Sequence, residues 1–283
     1  MKSVTEQLMV RRGPYNLHAE LTPGVGAPIV LIHGFPDNLH LYDRLLPYLT
    51  NGQPVVRFDF LGWGRSDKPA GYPYTATNQT GDLDFVVDAV TERTGNDKLV
   101  LVAHDASGPP AIDWALAHPG NVETLILLNT YYQFTFGLRR PPAITLYSTP
   151  VIRAAARAVV KKRPDLDQRL YEWQVGKFII DPELRAELVP RLYKEFLPAR
   201  PAFWRLNDDL IGTVLARRRR IPDMRRFRSR VKVIFGAEDR YLNPKVARNF
   251  ANLFPNSELR LLDGAGHYVQ VDKPKEVAEL IVG

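Results

Sequence analysis

Short runs of apolar, mostly β-branched or leucine residues recur along the chain at 28–32, 55–60, 99–102, 124–128, 231–235 and 259–262, with helically spaced stretches between most of them. Near-continuous apolar strands, rather than alternating ones, predict a parallel sheet buried on both faces by helices. Residues 7–21 predict an antiparallel hairpin at the edge of that sheet. The alternation stops between about 132 and 228. That span carries no clear strand, predicts helices such as 151–162 and 182–196, and is rich in Arg, Tyr and Trp. The expected organisation is an α/β core made of 1–131 and 229–283, with 132–228 inserted as a helical cap.

The chemistry-bearing residues follow the apolar runs. In an open parallel sheet, ligands bind beyond the carboxyl ends of the strands, so His33-Gly34-Phe35-Pro36, Asp105, Asp239 and His267 are expected to converge. Asp105 sits in Ala103-His104-Asp105-Ala106-Ser107-Gly108, where small residues flank a nucleophile position on a tight strand-to-helix turn. Pro109 and Pro110 suit the first turn of the helix that follows. A carboxylate that attacks saturated carbon leaves an ester, which water can cleave; a serine would leave an ether, which activated water does not readily hydrolyse. Two other readings stay open here: Asp105 as a helix cap, and Ser107 as the nucleophile. His267, in the loop Gly264-Ala265-Gly266-His267-Tyr268, is the candidate base, whereas His33 and His104 read as structural and His40 and His118 as surface residues. Asp239 is the candidate that orients His267. Glu238 competes with it, and a loop cap or a pair with Arg240 is the bland alternative. The backbone N–H groups of Phe35 and Ala106 are placed to form an oxyanion hole.

With these residues assembled, the chain resembles the α/β-hydrolases over its whole length. The order nucleophile, acid, histidine matches, as does Gly62-Trp63-Gly64-Arg65-Ser66-Asp67 after the second core strand. The His-Asp pair at the elbow resembles the epoxide hydrolase and haloalkane dehalogenase branch. That resemblance implies a two-step reaction. Asp105 forms an alkyl ester, and water activated by His267 and Asp239 hydrolyses it. Epoxide opening leads, with dehalogenation and esterase or lactonase activity as alternatives and a non-enzymatic ligand-binding role behind them. Both branches usually place tryptophan after the nucleophile, where this chain has Ala106. Phe35 stands where one dehalogenase group has asparagine, and Asn129 where that group has its acid; the first favours epoxide opening and the second keeps Asp239 as the acid. Leaving-group stabilisation is expected from the cap, where Trp204, Tyr171, Tyr193 and Tyr147 are the candidates and Trp173 lies near Tyr171 in sequence.

Composition adds limits. The 283 residues are 45% hydrophobic and 24% charged, an ordinary globular balance. Without cysteine, disulfides and thiolate catalysis are excluded. The first residues lack the apolar stretch of a signal peptide, and no run approaches the roughly 18 apolar residues of a membrane span, so a cytoplasmic protein is expected. No metal or organic cofactor is called for, and the expected partners are a small, largely apolar substrate and water, with no nucleic acid. The net charge of +7 belongs to one place: residues 216–230 hold eight arginines against Asp223, and the rest of the chain is balanced. This cluster reads first as a solvated connection, with an anionic membrane, nucleic acid or substrate as the alternatives.

Overall fold

In the computed structural model, which describes residues 5–49 and 52–283, the apolar runs form one sheet of eight strands among the described residues. They are β1 (Glu6–Arg12), β2 (Tyr15–Thr22), β3 (Ile29–Ile32), β4 (Val55–Phe58), β5 (Leu99–Asp105), β6 (Val122–Thr130), β7 (Arg230–Gly236) and β8 (Ser257–Leu262). The spatial order is β1-β2-β4-β3-β5-β6-β7-β8. The β1–β2 hairpin is antiparallel and sits at one edge, β2 meets β4 antiparallel, and the remaining pairs are parallel. From β3 the chain crosses to β4 on one side, whereas β5 to β8 progress to the other. The crevice beyond β3 and β5 is therefore the switch point where such sheets bind ligands.

Successive side chains of a strand point to opposite faces, and the core divides accordingly. Leu99, Leu101 and Ala103 of β5 join one apolar cluster, with Leu83 and Val86 of α1 (Ala76–Thr94) and Ile112 of α2 (Gly108–Ala117). Val100 and Val102 join a second cluster on the other face. The interior strands are buried on both faces, which is why they read as continuous apolar runs.

Between β6 and β7 lie α3 (Pro142–Ser148), α4 (Pro150–Lys162), α5 (Pro164–Val175), α6 (Pro182–Phe196), α7 (Arg200–Asp208), α8 (Leu210–Ala216) and α9 (Ile221–Arg226). Several start on proline, whose missing N–H costs nothing in a first turn. Leu184, Leu188, Leu192 and Phe196 recur every fourth residue and bury one face of α6. The chain closes with α10 (Pro244–Leu253), α11 (Val269–Asp272) and α12 (Pro274–Val282), the last packed on the second cluster through Val277 and Ile281. No helix among the described residues is long and apolar enough to cross a membrane.

Candidate active site

Asp105 ends β5 with φ at 48°, in the left-handed region where a non-glycine residue is strained. Its neighbours hold it there. The Thr130 hydroxyl donates to the Asp105 carbonyl at 2.5 Å, and the Ser107 hydroxyl is buried between the carbonyls of Ile32 (3.0 Å) and His104 (2.8 Å). Ser107 therefore braces the turn and does not line the cavity, and Asp105 makes no cap to α2. The turn also needs close approach. A Cβ on Gly34 would sit 2.7 Å from the Asp105 Cβ, and one on Gly108 would sit 1.8 Å from the Thr130 hydroxyl.

The Phe35 N–H donates to Asp105 Oδ2 at 3.2 Å, and the Ala106 N–H also stabilises this carboxylate. The Phe35 ring packs on buried Trp63 with centroids 4.3 Å apart, which fixes the loop after β3. The other carboxylate oxygen, Oδ1, lies 3.7 Å from Nε2 of His267. Nδ1 of His267 donates to Asp239 Oδ2 at 2.8 Å. Asp239 also accepts from the Asn129 amide at 2.9 Å and from the N–H groups of Tyr241 and Leu242 at 2.8 and 3.1 Å. Glu238 turns away and accepts from the Gly264 N–H. His104, buried beneath, contacts the His267 carbonyl at 3.0 Å, and Nδ1 of His33 contacts the Gly34 carbonyl at 2.7 Å.

The charges follow from these contacts. Burial pushes the Asp105 carboxyl above its ordinary range, against the pull of His267 and the two N–H groups. Burial also opposes charge on Asp239, but the attraction and hydrogen bond of His267, with the Tyr241 N–H and the Asn129 amide, hold its carboxyl below that range. Burial likewise disfavours protonated His267, yet Asp239 and then Asp105 outweigh it and raise the imidazole above its usual value.

Asp105, Phe35, Ala106 and His267 open onto a cavity of about 500 Å³ whose far walls come from the helices between β6 and β7. Of the four aromatic residues expected there, the cavity receives two. Tyr147 lines it, but its hydroxyl donates to Asp167 at 3.2 Å. Tyr171 also lines it, and its buried hydroxyl has no hydrogen-bond partner among the described residues. Trp204 is not in the wall. Its indole lies between the guanidinium groups of Arg157 and Arg200, 5.5 and 5.3 Å from the ring centre. Tyr193 is also outside the wall and packs on Tyr171, with centroids 5.2 Å apart. Trp173 is half exposed, under the Lys177 ammonium. Helical spacing shows which aromatics share a face, but not which way the face turns.

Asn129, noted in the sequence only as standing where another group has its acid, and two residues that escaped the sequence reading complete the site. Asn129, at a φ of 28°, accepts from the Gly236 N–H at 2.8 Å and donates to Asp239, tying β6 to β7. Tyr131 lines the cavity; burial, with the charge of Asp105, raises its phenol above the ordinary range. Asp37 is buried and accepts the Tyr268 hydroxyl at 2.7 Å, leaving Oδ2 without a partner among the described residues. Asp37 directly follows His33-Gly34-Phe35-Pro36 and Tyr131 comes three residues after the run 124–128, which was the one available clue.

A family model described as the Alpha/beta hydrolase family matches residues 29–280. The chain is an α/β-hydrolase. Among its relatives, a cis-3-alkyl-4-alkyloxetan-2-one decarboxylase of Shewanella oneidensis is 24% identical over 91% of this hydrolase and 81% of that protein. Haloalkane dehalogenase 2 of Mycobacterium tuberculosis is 25% identical over 92% and 88%. The crystal structure of a putative lipase from Acinetobacter baumannii superposes with a TM-score of 0.80 at 17% identity, over 98% of this α/β-hydrolase and 90% of that chain, a likeness of fold.

Proposed function

We propose that this α/β-hydrolase uses Asp105 as a nucleophile toward saturated carbon bound to oxygen, opening epoxides to diols in a cavity capped by the helices of 132–228. The observation that carries the reading is the placement of Asp105. A carboxylate on a strained elbow has one oxygen held by the Phe35 N–H and the other 3.7 Å from a histidine whose ring is fixed by a second carboxylate.

In the first step, Asp105 Oδ1 bonds to the ring carbon, the C–O bond breaks, and the released oxygen takes a proton from a phenol. Tyr131 and Tyr171 are the candidate donors. Burial raises both phenols above their ordinary range, so each holds its proton until an alkoxide develops. In the second step, His267 takes a proton from water, which attacks the Asp105 carboxyl carbon. The N–H groups of Phe35 and Ala106 stabilise the oxyanion. Collapse breaks the bond to the alkyl oxygen, which recovers the proton from His267, and the proton left on the regenerated Asp105 carboxyl returns to the phenolate. The relative named as an alkyloxetan-2-one decarboxylase takes a strained oxygen-containing ring, which supports a strained-ring substrate here.

Dehalogenation is the second reading, favoured by the haloalkane dehalogenase relative. The Trp204 indole, expected to donate to an epoxide oxygen or to a halide, lies outside the cavity wall and so favours neither reading. The deciding experiment supplies epoxide and haloalkane panels in ¹⁸O-labelled water over several turnovers, followed by the mass of the peptide carrying Asp105. Label in that peptide with epoxide turnover is expected, and loss of both in Asp105→Ala. Turnover that persists in Asp105→Ala defeats the reading, and label with haloalkanes alone hands it to dehalogenation. Tyr131→Phe and Tyr171→Phe identify the donor, whose loss should slow ester formation by roughly 10²–10⁴-fold.

A further inference from the structure

The chemistry above makes no use of the arginine-rich segment or of the cavity's outer edge. Phe134, Ile211 and Leu215 line the cavity, yet are 64%, 41% and 61% exposed, which puts them at its mouth. Arg139 and Arg140 line the same opening and are exposed. Ile211 and Leu215 lie one turn apart on α8 and share a face. Arg218 and Arg219 follow Leu215 in the 3₁₀ turn Arg217–Arg220. The first arginine of that turn, Arg217, is buried and held by Asp113, with Nη2 and Oδ2 2.5 Å apart, so it occupies the inner side; Arg218 and Arg219 are exposed. Neither of them, nor Arg139, has an ion-pair partner among the described residues, and Arg140 reaches only the Ser148 hydroxyl at 3.3 Å. Phe136, 86% exposed, projects from the loop after β6 beside the Lys245 ammonium. Exposed Asp209, at the start of α8, is the acid on that helix. Elsewhere in the segment, Arg220 and Arg226 pair with Asp223, Arg225 and Arg228 are exposed without an ion-pair partner among the described residues, and Arg230 begins β7 at the other end of the sheet.

Single exposed apolar residues need no explanation, but a group of them around an apolar cavity, flanked by unpaired cations, does. Apolar side chains that enter the acyl boundary, with arginines at the level of the phosphates, make an interfacial binding face. A nucleic acid would match the cations but leave Phe134, Ile211 and Leu215 without a partner. We propose that this rim docks on the surface of an anionic lipid bilayer, so that apolar substrates pass from the membrane into the cavity. The inference rests on the rim and not on the nucleophile, and its test needs no turnover.

The intact protein is sedimented with vesicles of phosphatidylcholine alone and of phosphatidylcholine mixed with phosphatidylglycerol, at low and physiological salt. Association with the phosphatidylglycerol vesicles, weakened by salt, is expected. Arg218→Glu combined with Arg219→Glu should lower it by roughly 30-fold or more, at about 1 kcal/mol per basic side chain near the surface, with melting temperature and circular dichroism as in the unmodified protein. Phe136→Ser should weaken association while leaving its salt dependence unchanged. The proposal is overturned by no association with anionic vesicles at low salt, by equal association with phosphatidylcholine alone, or by wild-type binding in the double-arginine variant. Retention on double-stranded DNA without sedimentation on vesicles overturns it as well.

Discussion

His267 is the residue at which the two proposed half-reactions separate. It is not needed to form the ester, but it is needed to hydrolyse it. His267→Gln should therefore accumulate an Asp105 peptide heavier by the mass of the substrate, while steady turnover falls by roughly 10³–10⁴-fold. Loss of turnover with no added mass contradicts the covalent route. The pH dependence has a definite sign. His267 acts as a base only when neutral, and Asp239 and Asp105 raise its imidazole above its ordinary value of 6.5 in the free enzyme. Ester hydrolysis should thus increase with pH, read from single-turnover decay of the ester. Because esterified Asp105 no longer carries the charge that helps raise His267, the midpoint should lie below that of the imidazole in the free enzyme, and decay independent of pH would show that His267 is not the base. Residues of this kind are legible in sequence because each follows an apolar run, and strand ends converge in a parallel sheet. Trp204 and Tyr193 were misplaced for the opposite reason. Their direction depends on how seven short helices pack together, and no local pattern encodes that. Asp37 was invisible because the consequence of an acid depends on burial, which the five residues around it do not reveal.

At the scale of elements, the elbow between β5 and α2 works because three neighbours let the chain come close. Gly34 brings the loop after β3 against Asp105, Gly108 lets α2 start beneath Thr130, and Thr130 holds the carbonyl of the strained residue. Gly108→Ala would place a methyl group 1.8 Å from the Thr130 hydroxyl, so that side chain must move and release Asp105. The expected cost is about 1–3 kcal/mol, seen as a melting temperature lower by several degrees, with turnover reduced as well. An unchanged melting temperature would mean that Thr130 swings aside freely and that the strain at Asp105 is held elsewhere. The strands and the edge hairpin were legible because burial on both faces leaves an uninterrupted apolar run. The start of β6 and the end of β5 extend beyond those runs, since Glu123 is exposed and His104 and Asp105 are polar. The pairing of β5 with β6 through Asp105 and Thr130 is fixed by the sheet and not by local preference.

At the scale of the whole molecule, Asp37 is a buried acid whose ionisation couples to folding, a property it shares among the described residues with Asp82, pushed up to about 6, and with Asp105 and Asp239. Burial pushes the Asp37 carboxyl up to about 7; the Tyr268 hydroxyl offsets part of this, and the charge of Asp105 adds to it. In the unfolded chain the same group ionises near its ordinary value of 3.8. Between these values the native state holds a proton that the unfolded state has lost, so stability falls as pH rises from about 4 to about 7 and levels off above. Raised His267 acts in the same direction over a higher window, since its contribution is present below 6.5 and lost as pH rises through its folded value. Depressed Asp239 acts oppositely and only in acid, where its contribution is lost as pH falls through its folded value. Asp37→Asn separates the first effect from the others, because the amide oxygen still accepts the Tyr268 hydroxyl and never ionises. Urea unfolding should show the variant more stable than wild type at pH 8 by an amount on the order of a few kcal/mol, with the gap closing as pH approaches 4. A difference that does not depend on pH would mean that Asp37 keeps its charge in the folded protein, and that a cation or water inside the cavity compensates it.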